Sequence, residues 1–338
     1  MTGPDPNAAA VRRAVRGALT AFDPGSLVLV AVSGGVDSMA LAAAVVREVP
    51  ALGLRAHALV IDHGLQPGSE VVAREVVGRL GALGLAAEAN RVSVTPRGDG
   101  IEAAAREARY AALQRRRIAL GAAGILLGHT RDDQAEQVLL GLTRGSGARS
   151  LSGMPPTRDH VVRPLLAVTR AQTRGACEAE GIAWWEDPMN ADPAFLRVRA
   201  RRALTDLERD LGPGIGKALA RTAEQLRDDA DYLDEQARAA YAEVVRGAPD
   251  PSLGEVAPPL RVRDLERIAR PLRTRIWRLL LVGAGAPAGQ VSWRHTSACD
   301  ELLSRWHGQG PLHVPGNLRV ARVDGHIRVT RGSDKVGA

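Results

Sequence analysis

One short loop constrains this chain more than any other stretch: Ser33-Gly34-Gly35-Val36-Asp37-Ser38. The seven residues before it, SLVLVAV at 26–32, are an apolar, β-branched run of the kind that forms a buried parallel strand. The residues after it, MALAAAVVRE at 39–48, are rich in Ala and Leu and predict a helix. Paired glycines let the chain turn sharply and bring its backbone close to a ligand. Two serine hydroxyls and the free N–H groups of the helix start point into the same space, which makes an anion site. A Walker-type loop also joins strand to helix, but it needs GxxxxGK followed by Ser or Thr. No lysine occurs here before Lys217, so that chemistry is excluded.

SGGVDS resembles the signature of the PP-loop ATP pyrophosphatases. The resemblance implies cleavage of ATP between its α and β phosphates and transfer of AMP to a substrate oxygen. It assigns ATP binding to Ser33, Gly34, Gly35, Val36, Asp37 and Ser38, and Mg²⁺ to Asp37.

Further along, strands and helices alternate. Helices are predicted at 8–22, 69–83, 101–120 and 132–142, and strands at 54–61, 85–94 and 124–128, with a last short strand at Val161-Val162. A turn falls at 96–100. This alternation predicts an α/β fold with a doubly wound parallel sheet, whose ligands bind beyond the carboxyl ends of the strands. Ser33, Asp62 and His129 all fall at such ends. The Gly212-Pro213-Gly214 break sets the expected boundary between a catalytic domain, 1–211, and a smaller, mainly helical domain, 212–338. In the latter, helices are predicted at 215–246, 260–281 and 297–306. Asp324-Gly325 signals a hairpin between 317–323 and 326–329.

The 338 residues suffice for two domains, and 45% of them are apolar. Of 45 basic residues only Lys217 and Lys335 are lysines, and the formal charge of +7 favours an anionic partner such as nucleic acid. Two distant cysteines, Cys177 and Cys299, argue against a disulfide framework or a zinc site. No apolar run reaches the length of a membrane span, and no signal peptide is evident, so the chain reads as cytoplasmic.

The second strong motif is Gly128-His129-Thr130-Arg131-Asp132-Asp133-Gln134-Ala135-Glu136. Carboxylates at a helix start are favoured by its dipole, and Asp132 and Glu136, four apart, share a helical face. Capping and a solvated acidic face would account for Asp132 alone. The whole cluster, on the same rim as the glycine turn, points to a site.

The stretch GHTRDDQAEQVLLGLTRGSGARSLSGM, with Asp62-His63-Gly64-Leu65, Arg163-Pro164-Leu165-Leu166 and the block from Glu186 to Arg201, is similar to the tRNA(Ile)-lysidine synthetases over about residues 25–205. Thr130 departs from a usual histidine, Gln137 from threonine, Met189 from serine and Val198 from asparagine. The resemblance implies ligation of L-lysine to C2 of the wobble cytidine of the CAU-anticodon isoleucine tRNA, through an adenylated cytidine. Cofactors are ATP and Mg²⁺. The candidate catalytic residues are Asp37, His129, Asp132, Asp133 and Arg109, with Asp132 and Glu136 expected to hold lysine. The C-terminal domain is expected to contact tRNA. Arg144, Arg197, Arg199, Arg201 and Arg202 are candidate tRNA contacts, with the Trp184-Trp185 pair nearby as a stacking surface and Arg115 to Arg117 as a second basic run. Arginine-rich exposed helices would account for the same pattern, and a surface arginine for Arg109. A homodimer is compatible with the sequence. Three rivals stand: a PP-loop thiolation enzyme, which would need suitably placed cysteines; an amidotransferase-type synthetase, which would need a glutaminase; and a non-catalytic RNA-binding module, which the acidic cluster disfavours.

Overall fold

A computed structural model describes residues 5–95, 101–143 and 147–332. The chain divides into two compact units. One runs through Glu224; the other comprises Gln225 onward together with the segment ending at Ser150. The division lies thirteen residues beyond the expected boundary, because the helix that follows the Gly-Pro-Gly break is continuous across it.

The first unit runs α1 (Pro6–Leu19), β1 (Leu27–Val32), α2 (Val36–Glu48), β2 (Arg55–Asp62), α3 (Ser69–Ala82), β3 (Ala87–Arg91), α4 (Ile101–Leu120), β4 (Gly124–Leu127) and α5 (Arg131–Thr143). After the short α6 (Ala148–Leu151), all but its last residue counted with the second unit, come β5 (Thr157–Arg158), β6 (Val161–Val162), α7 (Arg170–Ala179) and α8 (Leu196–Leu211). Strand order is β3-β2-β1-β4-β6-β5, parallel except for the β5–β6 pair. This is the expected doubly wound sheet. Its order reverses between β1 and β4, so the ligand crevice lies beyond their carboxyl ends.

The apolar run of β1 serves two cores by alternation. Val28, Val30 and Val32 pack with Val15, Leu41, Val76 and Cys177 from α1, α2, α3 and α7. Leu29 packs on the opposite face with Leu59, Ile125 and Leu113. Glu48, 1% exposed in α2, is held by Arg12 and Arg16 of α1.

The second unit contains most of α9 (Ile215–Arg246), then β7 (Leu260–Arg261), α10 (Val262–Glu266), α11 (Arg270–Gly283), α12 (Trp293–Ser304), β8 (Leu312–Val314), β9 (Leu318–Val323) and β10 (His326–Arg331). Alongside its helices it carries an antiparallel sheet, β7-β10-β9-β8. The helix expected over 260–281 is in fact β7, α10 and α11. Pro271 lacks an N–H and suits the first turn of a new helix better than the interior of an old one. The predicted hairpin closes at Asp324 and Gly325, with φ of 47° and 71°, the positive pair of a type I′ turn. Trp277, Leu280, Leu302, Val320 and Ile327 form this unit's core.

Candidate active site

The SGGVDS loop leaves β1 and enters α2. Gly34 sits at φ +85°, and a Cβ there would come within 2.5 Å of Val76 Cγ2. Ser38 donates to the Gly35 carbonyl at 2.9 Å and accepts the Ser33 N–H at 3.2 Å, so the loop is tied to itself. The Trp185 N–H holds the Gly34 carbonyl at 2.8 Å. No side chain caps α2 at Gly35, which leaves its N-terminal dipole end for an anion.

β4 reaches the same place from the other side of the switch point. A Cβ on Gly128 would lie 3.1 Å from the Asp37 carbonyl oxygen and 3.2 Å from Ser38 Cα. The exit of β4 therefore lies directly against the first turn of α2, and the two motifs share one crevice.

Between them stands a residue the sequence reading missed, Arg170, at the first position of α7. Its Nε donates to Asp37 Oδ2 at 3.2 Å, its Nη2 to Asp133 Oδ1 at 2.8 Å and its Nη1 to Glu136 Oε1 at 3.5 Å. Its backbone N–H donates to Asp132 Oδ2 at 2.9 Å. α7 is fixed at this point by a Thr169–Gln172 capping box, and the Arg131 N–H reaches back to the Val168 carbonyl. Thus the starts of α5 and α7 are bonded to each other. The other oxygen of Asp37 accepts from Thr173 Oγ1.

Each carboxylate has its own surroundings. Burial raises the Asp37 carboxyl above its ordinary value and outweighs the lowering by Thr173 and Arg170. Burial also pushes Asp133 upward, but Arg170, the Thr130 N–H and hydroxyl bonds and the nearby His129 more than offset it, holding Asp133 low. Thr130, fully buried, serves as the partner of Asp133. Glu136 is 2% exposed; Oε1 also accepts Arg201 Nε at 2.8 Å, while Oε2 is buried with no partner among the described residues. Gln134 is structural. Its amide bonds both the N–H and the carbonyl of Met154, at 2.7 and 3.0 Å.

On the other flank lies a cationic group. Burial pushes the His129 imidazole down to about 3; Asp133 opposes this, and the charges of Arg109, Arg163 and Arg106 add to it. Burial, followed by Arg109, also lowers His63 at the end of β2. Burial lowers the Arg109 guanidinium as well. His63 Nδ1, His129 Nδ1, Arg109 Nε and Arg163 Nε are buried with no partner among the described residues. His63 and Arg163 lie in the Asp62–Leu65 and Arg163–Leu166 motifs, whose sequence alone points to no role for either side chain.

Asp132, Glu136, Arg170 and Arg201 line a cleft of about 460 Å³, with Glu208 and Lys217 farther along it. The structure therefore brings together Asp37, Asp132, Asp133, Glu136 and Arg201. Arg109 and His129 are electrostatic neighbours on the adjoining flank. Arg199 and Arg202 do not join them: both are exposed, and they bond the carbonyls of Pro193, Ala194 and Ala191 just before α8. Arg197 is half-buried, and its charge reaches Arg109. Arg144 and the turn at 96–100 lie outside the described residues. In the second basic run, Arg116 pairs with Glu88, and Arg117 bonds Gln114 and the Ala122 carbonyl. Trp184 packs against the core under Arg174.

The fold and crevice define a nucleotide-binding α/β enzyme, and comparisons with known proteins agree. The PP-loop domain family matches residues 9–208. A tRNA(Ile)-lysidine synthase from Thermobifida fusca is 49% identical over 98% of this chain and 99% of its own length. One from Streptomyces coelicolor is 49% identical over 90% and 86%. Among solved structures, a U34-tRNA thiolase from Methanococcus maripaludis shares the fold, with a TM-score of 0.55 at 18% identity, over 65% of this chain and 79% of that one. The chain belongs to the tRNA(Ile)-lysidine synthase family of PP-loop proteins.

Proposed function

We propose that this protein is an ATP-dependent ligase that joins L-lysine to C2 of the wobble cytidine of the CAU-anticodon isoleucine tRNA, forming lysidine. The observation that carries the reading is the acid cluster of Asp37, Asp132, Asp133 and Glu136, set against an uncapped glycine-rich helix start. A phosphate loop alone suits many nucleotide enzymes. Carboxylates beside it suit a cationic second substrate.

In this reading the loop from Ser33 to Ser38 holds the ATP phosphates. The cytidine O2 attacks the α-phosphorus, the bond to the β-phosphate oxygen breaks, and pyrophosphate leaves. Arg109 and His129 face the developing charge. His129, with its lowered basicity, acts as a neutral imidazole. The lysine ε-amine, guided by Asp132 and Glu136 with Asp133 in support, then attacks C2, and AMP departs with O2. Asp37 is our choice for Mg²⁺. Its oxygen donors beside the phosphate loop fit an ion bound through one or two carboxylates plus substrate phosphates. Among the described residues no three His, Cys, Asp or Glu side chains are grouped to hold a metal by themselves. When bound, Mg²⁺ would neutralise phosphate charge.

The tRNA is assigned to the C-terminal unit and to exposed arginines such as Arg199 and Arg202, in the cytoplasm. Among the described residues no helix is long and apolar enough to cross a membrane. Loss of one phosphate contact by Arg199→Ala should lower the log–log salt slope of tRNA binding by about 0.7–0.9; an unchanged slope removes Arg199 from the contact surface. Thiolation is disfavoured, since Cys177 and Cys299 are buried, one in each unit, and burial pushes each thiol up to about 12.

The test is incubation with ATP, radiolabelled lysine and isoleucine tRNA carrying CAU. AMP, pyrophosphate and label in tRNA are expected. Release of ADP, or sulfur entering tRNA instead of lysine, overturns the reading.

A further inference from the structure

We propose that Arg170 is a positioning residue that competes with the incoming ammonium for the acid cluster and so sets how tightly lysine is held. This rests on the reading of lysine as the nucleophile.

One side chain addresses Asp37 on α2 and both Asp133 and Glu136 on α5, and its own backbone N–H takes Asp132. Among the described residues no other side chain in the crevice is bonded to both the phosphate-loop wall and the acidic helix. Arg170 also lines the cleft that Asp132 and Glu136 line, so its guanidinium faces the space a ligand would enter. With Asp37 reserved for the metal, Asp132, Asp133 and Glu136 and the guanidiniums of Arg170 and Arg201 leave the lysine side of the cluster formally at −1. An ammonium arriving through the cleft finds that residual charge, together with Glu136 Oε2, buried with no partner among the described residues. Without Arg170 it would meet −2.

Two consequences oppose each other. The extra negative charge deepens the well for a cation. The carboxylates, no longer held to a common fork, lose their fixed geometry. Arg170 thus trades affinity for alignment, and its removal should tighten lysine while slowing transfer. A residue that only held the fold together would loosen lysine instead.

The experiment measures kcat and KM for lysine in tRNA lysidine formation, with ATP and tRNA saturating, and thermal unfolding alongside. For Arg170→Gln, KM for lysine should fall by about tenfold, the scale of one unit charge several ångströms away in a partly solvated site, while kcat falls at least tenfold. Arg170→Lys keeps the charge without the fork, so its KM should stay within about twofold of wild type, with kcat between the two. A folded Arg170→Gln enzyme whose KM is unchanged or raised overturns the proposal. If that variant does not fold, Arg170→Lys decides: an unchanged KM with lowered kcat supports the proposal, and a KM raised fivefold or more overturns it. Wild-type enzyme that transfers no lysine would sink the functional reading itself, a failure separate from a wild type that transfers lysine while the variants miss these values.

Discussion

In the C-terminal unit, Asp300 is 3% exposed and takes both arms of the Arg273 fork, at 2.8 and 3.1 Å, with the Trp277 indole N–H at 3.2 Å. In the N-terminal unit, Glu136 is just as buried, shares Arg170 and Arg201, and still leaves one oxygen without a partner among the described residues. The first network is saturated: every strong donor points at an acceptor, and the group locks α11 to α12. The second has spare capacity and opens on a cleft. Burying charge is expensive, and an incompletely paired buried carboxylate is dearer still. A fold keeps such a group where the missing partner arrives from outside. The Asp300 network is closed on itself, and the Glu136 network is the one that combines an unpaired buried carboxylate oxygen with an open cleft.

The largest effect expected from this contrast is on the open network. Asp37→Ala should cost about 10³-fold or more in AMP release, on the scale of losing one preorganised electrostatic group, while the unfolding temperature stays near that of wild type. Appreciable activity in that variant would mean the loop works without its carboxylate. The closed network should show the opposite pattern. Asp300→Ala strands Arg273 and Trp277 and should cost about 3 kcal/mol of stability, read by denaturant unfolding, with turnover per folded molecule unchanged. A turnover defect there would blur the distinction between the two clusters.

His129 sharpens it through pH. With its imidazole pushed down to about 3, the folded protein declines a proton that the unfolded chain accepts near its ordinary value. Between about pH 6.5 and 3 the unfolded state binds more protons, so stability rises with pH and is lost on acidification. Replacing His129 by Gln should flatten that part of the stability–pH curve. The smallest effect belongs to Glu48, a second well-paired carboxylate. Burial pushes its carboxyl up, but Arg12 and Arg16 more than compensate and hold it below its ordinary value. Its contribution is present above the unfolded value and fades as pH falls through the lowered one. Glu48→Gln should cost about 1–2 kcal/mol at neutral pH and nothing measurable in strong acid.

The parallel sheet was legible because β1 is apolar throughout, and because SGGVDS and DDQAE sit where strands give way to helices. The partnership of Asp132 with Glu136 followed from a four-residue spacing. Arg170 was not legible. An isolated arginine carries no local signal in a chain with only two lysines among 45 basic residues; its meaning comes from three carboxylates that converge on it from 34 to 133 positions away. The basic run of α8 could not be sorted from sequence for the related reason that neighbouring arginines on a helix face different ways. Arg201 turns inward to Glu136, while Arg199 and Arg202 turn back to their own loop. The C-terminal sheet escaped notice beyond its hairpin because β7 and β8 span two and three residues, too short for alternation to register.

Gly128 has a mechanical corollary. Because the end of β4 is pressed flush against the opening turn of α2, with no side chain as a spacer, the two walls of the crevice behave as one machined part. A protein engineer who grafts the glycine turn onto another sheet must carry that neighbouring glycine with it. Even a methyl group there would press on the α2 backbone, so a shift of one seat is passed to the other.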